Sequence, residues 1–184
     1  YPDHGEGFCV LNDVAIAVRQ LRSDRRLGRV LVVDLDVHQG NGTAAIFASD
    51  PETYTLSVHG ERNYPLAKER STLDIGLADG IGDDEYLAAL ADALPRAIRE
   101  SGAALAFYLG GVDVAAGDRY GRFRLTDDGI RARDAYAIDR LRDAGIPVAL
   151  TLAGGYAPTP FRTAELHSYA FEAAHRRLRT EQSA

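Results

Sequence analysis

Along the chain, short runs of branched apolar residues alternate with longer stretches in which apolar residues return every three or four positions. The short runs read as strands at residues 29–38, 53–58, 103–109 and 148–152. The periodic stretches read as helices. The first is capped by Asn12-Asp13 and runs to about Arg22, with Val14, Ala17, Val18 and Leu21 on one face. A short helix follows at residues 43–47. A longer one at 84–101 turns Leu87, Leu90, Leu94 and Ile98 inward, and Pro95 should kink it. Thr126 caps the next, with Asp127 and Asp128 in a first turn that the macrodipole favours, and Gly145 and Pro147 stop it. The last helix covers about 158–180. Residues 1–9 and 61–82 read as loops. Strands apolar on both faces, alternating with helices, predict an α/β fold: a parallel sheet with helices on both faces. No repeat or linker divides the chain, so residues 1–184 read as a single domain.

The strand ends carry the chemistry. The first run continues into Asp34-Leu35-Asp36-Val37-His38-Gln39-Gly40-Asn41-Gly42. Side chains alternate along a strand, so Asp34, Asp36 and His38 share one side, with neighbours roughly 6.5–7 Å apart. Two carboxylates at that spacing repel by about 2–3 kcal/mol at an effective dielectric near 20, which calls for a cation between them. The second strand ends near Ser57 and His59. The third is followed by Gly110-Gly111-Val112-Asp113, the fourth by Gly154-Gly155-Tyr156. In a parallel sheet all these ends lie along one edge.

An Asp, a His and an Asp around one divalent ion, with a position left open, is catalytic ligation. Without a thiolate the set suits Zn²⁺, with Fe²⁺ or Mn²⁺ also open. A phenol on a glycine hinge beside it can donate to the oxyanion of a tetrahedral intermediate, so the implied chemistry is hydrolysis of an amide or ester. Two other readings stand beside it. One is an Asp-capped strand end without metal. The other is the Asp-x-Asp start of a phosphotransferase, which wants a later lysine, and Lys68 is the only lysine present.

Composition narrows the class. A net charge of −6, with 46% apolar and 26% charged residues, describes an ordinary globular chain and argues against direct binding to nucleic acid. No apolar run is long enough to span a membrane. The single Cys9 excludes an internal disulfide and fits a reducing cytoplasm. There is no methionine and the chain opens at Tyr1, so residues are expected before it.

Taken together, Gly7-Phe8-Cys9-Val10-Leu11-Asn12-Asp13, the 34–42 segment, Gly111-Val112-Asp113 and Gly154-Gly155-Tyr156 resemble the zinc-dependent histone deacetylase family, of the arginase/deacetylase superfamily. Acetoin-utilisation proteins and acetylpolyamine amidohydrolases are among its members. Asn63-Tyr64-Pro65 with Lys68-Glu69-Arg70, and Gly117-Asp118-Arg119-Tyr120-Gly121-Arg122, look most like its short single-domain bacterial members near the fourth class. The resemblance implies Asp36, His38 and Asp113 as zinc ligands and Tyr156 as the phenol that polarises the acyl carbonyl. It implies that the Gly7 carbonyl and Gly155 meet the substrate, while Phe8 and Tyr64 line a narrow tunnel for an acylated lysine or a small acylated amine. Asp34 and Asn41 would orient two catalytic histidines. A structural K⁺ would sit among Asp34, Asp36, His38, Ser57 and Val58.

The family's tandem His-His pair lies just upstream of the segment that begins here at Tyr1, and the 184 residues contain no such pair. The resemblance therefore implies the C-terminal portion of a deacetylase domain that turns over little by itself. A manganese ureohydrolase of the same fold would show Asp-Ala-His-x-Asp, which residues 34–38 do not. A module that binds a cation and acyl-lysine without cleaving it remains as the alternative. His4 reads as a solvated loop residue, Cys9 as a small buried one near the pocket floor, His59 as a strand-end partner, and His167 and His175 as surface.

Overall fold

The computed structural model describes residues 1–182; the last two residues of the expected 1–184 domain lie outside the described residues. The elements follow in the order α1 (Asp13–Ser23), β1 (Val30–Asp34), α2 (Asn41–Phe47), β2 (Thr53–Gly60), β3 (Leu73–Leu77), α3 (Asp83–Ser101), β4 (Leu105–Leu109), α4 (Asp127–Asp143), β5 (Val148–Thr151) and α5 (Pro160–Gln182). The strands form one wholly parallel sheet in the order β3-β2-β1-β4-β5.

Strand β1 is central and buried along its whole length. Its odd positions Leu31 and Val33 pack with Leu90 and Leu94 of α3, Ile130 and Leu141 of α4, and Leu166 of α5. Its even positions Val30 and Val32 pack with Val14 and Val18 of α1 and Phe47 of α2. That two-sided burial is why the run is apolar without alternation, and helices cover both faces as expected. The caps read from the sequence are formed: Asn12 Oδ1 accepts from Ala15 N at 2.8 Å, and Thr126 Oγ1 accepts from Gly129 N at 3.1 Å. Pro95 lies inside α3, which continues to Ser101.

One element departs from the sequence reading. The 61–82 stretch is not wholly irregular, because β3 forms within it and adds a fifth strand at the sheet edge. Its alternation of Leu73, Ile75 and Leu77 is diluted by Asp74 and Gly76, residue types depleted from strands.

Topology fixes where a ligand can bind. From β1 the chain steps outward to β2 and β3, then α3 carries it back to β4 on the other side of β1. The crevice beyond the carboxyl ends of β1 and β4 is therefore the topological switch point. Pairing continues past the strands: Leu35 N donates to Leu109 O at 3.0 Å, Gly60 N to Val37 O at 2.9 Å, and Val112 N to Gly154 O at 2.7 Å. Among the described residues no helix is long and apolar enough to cross a membrane.

Leu90 is fully buried in the α3 face of the core. Leu90→Ala is expected to lower stability by about 2–5 kcal/mol. Urea unfolding should show this as a lower midpoint with an unchanged m value.

Candidate metal centre and active site

The turns that follow β1 and β4 supply the side chains from either side of the switch point. Strand β1 stops at Asp34, so Asp36 and His38 are not held 6.5–7 Å apart by strand alternation as expected. The chain turns instead. Asp36 Oδ1 accepts from His38 N at 2.9 Å, and His38 Nδ1 lies 3.0 Å from the same oxygen. Asp113 enters from beyond β4, with its Oδ2 3.0 Å from His38 Nδ1 and its Oδ1 accepting from Val37 N at 2.9 Å. Asp113 is fully buried; the Asp36 and His38 side chains are 14% and 21% exposed. The three residues offer ligand atoms that all lie within 4.8 Å of one another.

A divalent ion fits this set. Donor atoms 3.0 Å apart approach the roughly 3.3 Å edge of a tetrahedron with ~2.0 Å bonds. Gly154 closes the cradle from the β5 side, its N–H donating to Asp36 Oδ2 at 2.6 Å. A Cβ at that position would overlap Asp113 Oδ2, so only glycine lets the main chain come this close.

Electrostatics point the same way. Burial, with the Asp36 charge next, pushes Asp113 up to about 8. Burial and then Asp36 also raise Asp34, whose Oδ1 accepts from Asp36 N at 3.1 Å. For Asp36, burial presses upward, but hydrogen bonds from His38 and Asp113 outweigh it and leave the carboxyl below its usual range. Burial alone would lower the His38 imidazole; its hydrogen bonds to Asp113 and Asp36 instead raise it to about 10. The cluster thus favours added positive charge, which a dication would also supply.

The walls are aromatic. The Tyr156 ring stands edge-on to His38 at 6.5 Å and to Tyr120 at 4.9 Å, with Phe8 5.9 Å away. Burial, then the charges of Asp36 and Asp113, hold the Tyr156 phenol up at about 12, so it keeps its proton and can donate it. Tyr64 lies 6.3 Å from His38 ring to ring, and its hydroxyl donates to Glu6. Residues 6–9 form a tight hairpin, Glu6 and Cys9 exchanging both main-chain hydrogen bonds across Gly7 and Phe8 at φ +59° and +65°. Two left-handed residues in a row make this a primed turn, disfavoured for a phenylalanine. It projects the Phe8 ring, 84% exposed, towards Tyr156 and Tyr120. Phe8 and Tyr64 are thus both rim residues, 84% and 46% exposed.

Other residues singled out from the sequence fall into place around this centre or away from it. Ser57 Oγ and His59 Nδ1 are buried together at 2.9 Å. Val58 is buried beside them, and Asn41 Oδ1 accepts from Gly42 N at 2.9 Å. Cys9 is exposed, not buried, because the hairpin turns it outward. His167 is half-buried and not simply on the surface: a Cβ on Gly155 would come within 3.2 Å of its Nε2, so it packs beneath the glycine hinge.

Sequence reasoning missed Arg133. This arginine is fully buried behind the cluster, its Nη1 donating to Gly111 O at 2.5 Å and Leu35 O at 3.4 Å. Its Nε donates to Asp134 Oδ1 at 2.8 Å, and the Tyr108 hydroxyl donates to the same carboxylate. The guanidinium thus ties together, from behind, the two turns that present Asp36 and Asp113. A signal was present: Ile130, Ala137 and Leu141 mark an inward stripe on α4, and positions 133 and 134 fall on it.

In sequence and in fold the chain matches known proteins. The model of the histone deacetylase domain matches residues 1–172, and the chain belongs to that family. It is 44% identical over 174 residues to an uncharacterised protein of Picosynechococcus sp., covering 95% of this chain and 58% of that one. It is 32% identical to histone deacetylase 2 of Arabidopsis thaliana, over 84% of this chain and 41% of the relative. A histone deacetylase-like amidohydrolase of Pseudomonas aeruginosa is 30% identical, over 84% and 44%. In structure the chain resembles the acetylpolyamine aminohydrolase of Burkholderia pseudomallei, with a TM-score of 0.76 and 29% identity over 93% of this chain and 51% of that one. The chain thus spans about half the length of these relatives.

Protons held at His38 and Asp113 must leave when a metal enters. Zinc added to metal-free protein is therefore expected to release protons at neutral pH, and its apparent affinity should rise between about pH 6 and pH 8, through the raised Asp113 value. Calorimetry in buffers of different ionisation enthalpy measures the protons released. Affinity independent of pH over that range would contradict the assignment.

Proposed function

We propose that the protein hydrolyses the amide of an acylated amine, acetyl-lysine or a small acylated amine such as an acetylpolyamine, in a zinc-dependent reaction. The observation that carries this reading is the juxtaposition of the Asp36–His38–Asp113 cradle with the Tyr156 phenol at the switch point. In this reading Asp36 Oδ, His38 Nδ1 and Asp113 Oδ hold the ion. When bound, Zn²⁺ supplies Lewis acidity and lowers the pKa of a water molecule.

The chain's own residues do the rest. Tyr156, protonated at neutral pH, donates its hydroxyl hydrogen to the acyl oxygen as negative charge develops there. The Gly7 carbonyl accepts the substrate N–H, and Phe8, Tyr64 and Gly155 flank the alkyl chain and exclude water from it. Asp34, with Ser57 and Val58, holds a structural K⁺, and Asp34 and Asn41 orient the bases that take the proton from the attacking water. Those bases are not among the five histidines of these 184 residues, none of which is adjacent to another. These 184 residues by themselves are accordingly expected to turn over little; the alternative reading is a module that binds a cation and acyl-lysine without cleaving it.

The test is direct. Full-length protein should release acetate from a fluorogenic acetyl-lysine peptide or from an N-acetylated polyamine. Tyr156→Phe should reduce kcat by about 10²–10³, the usual cost of one oxyanion donor. Asp36→Ala should abolish both turnover and zinc retention. Undiminished turnover in both variants would refute the reading.

A further inference from the structure

The segment Gly117-Asp118-Arg119-Tyr120-Gly121 stands out in the sequence, yet the reaction as described gives it no part. In the fold it spans the gap between Asp113 and Tyr156. Asp118 Oδ2 accepts from Tyr156 N at 2.7 Å, while its Oδ1 accepts from Tyr120 N at 2.9 Å and Gly121 N at 2.8 Å. Arg119 N donates to Tyr156 O at 3.2 Å, so the main chain of Tyr156 is gripped on both its N–H and its carbonyl. The Tyr120 ring braces the Tyr156 ring edge-on at 4.9 Å and an interplanar angle of 76°.

The other end of the segment is anchored to the metal side. A Cβ on Gly121 would overlap the Asp113 carbonyl oxygen, so the two main chains are in contact and cannot slide. Asp118 N donates to Ala115 O at 3.2 Å, and Asn63 Nδ2 donates to Tyr120 O at 2.9 Å. The loop is thus fixed to Asp113 at one end and to Tyr156 at the other.

We infer that Asp118 is a positioning residue that sets the Tyr156 phenol against the Asp36–His38–Asp113 cradle. A carboxylate suits the task because one group must accept three converging N–H donors, and hydrogen bonds to a charged acceptor are the strong ones. The hinge before Tyr156 is Gly154-Gly155, which has no side chain to fix its own direction. Gly154 is held through its main chain to Asp36 and Val112, and Asp118 supplies the matching constraint at Tyr156. Misplacing a reacting group by about 1 Å is enough to cost on the order of 10²-fold in rate.

This inference rests on the assignment of Tyr156 above, and the experiment separates the two. Asp118→Ala and Asp118→Asn are made in full-length protein, each alone and combined with Tyr156→Phe. Asp118→Ala is expected to lower kcat by about 10- to 100-fold with KM within about twofold and zinc content unchanged. Asp118→Asn, which keeps one acceptor oxygen, should recover part of the loss. In the Tyr156→Phe background neither Asp118 change should lower kcat by more than about twofold, because the group it positions is gone. In metal-free protein, amide exchange at residues 154–156 should speed up in Asp118→Ala. Should Asp118→Ala fail to fold, Asp118→Asn carries the same comparisons. A full, multiplicative loss in the Tyr156→Phe background, or wild-type kcat in both Asp118 variants, would overturn the inference. Wild-type turnover in Tyr156→Phe alone would instead remove the assignment on which it rests.

Discussion

Three carboxylates and one imidazole share a water-poor crevice at the carboxyl end of the sheet, and that concentration of negative charge is the constraint on which the rest depends. Asp34, Asp36 and Asp113 lie within the reach of one another's fields, and Asp113 has no exposure to solvent at all. Such a group is tolerable only with compensation. The compensation comes from several directions: His38 between two of the carboxylates, main-chain N–H groups from Val37, His38 and Gly154 aimed at their oxygens, and the Arg133 guanidinium behind the turns. What remains uncompensated is the demand for a cation. Structure and chemistry therefore have one cause: the features that make the cluster costly to fold are those that suit it to a cation.

The sheet serves this arrangement more than it serves stability. The reversal of strand order around β1 places the ends of two adjacent strands in the same crevice while their connections leave in opposite directions. One ligand set can then be drawn from residues 36, 38 and 113 without any long loop having to order itself. Gly154 completes the set by bringing a main-chain donor where a side chain would collide.

Much of this was legible in the amino-acid sequence, for identifiable reasons. Helix caps at Asn12 and Thr126 are local chemistry, and they formed. Strands buried on both faces announce themselves as unbroken apolar runs, as β1, β2 and β4 did. The meeting of Asp36, His38 and Asp113 was legible because Asp-x-Asp-x-His after such a run, with a distant Gly-Val-Asp, is a dense and specific pattern. Three things were not. Strand β3 carries Asp74 and Gly76 in its five residues, so its alternation drowned in breakers. The geometry of Asp36 and His38 depended on where β1 ends, and strand ends are set by tertiary pairing more than by local preference. Arg133 and Asp134 drew no notice, because charge usually means surface. Only the inward stripe of α4 contradicted that, and it did so in a helix whose polar residues outnumber its apolar ones.

One further connection reaches beyond catalysis. Gln39, next to His38, binds the main-chain N–H and carbonyl of Glu69 at 2.9 and 2.7 Å, and the Asp74 carboxylate at 2.8 Å. Lys68 in turn donates to the carbonyls of Asn63 and Pro65, on either side of Tyr64. The rim that greets a substrate is therefore bolted to the turn that carries the ligands. Rim and centre cannot be exchanged as independent cassettes: a grafted 61–72 loop would have to bring its own counterpart of the Gln39 contacts, or it would loosen the floor while reshaping the door.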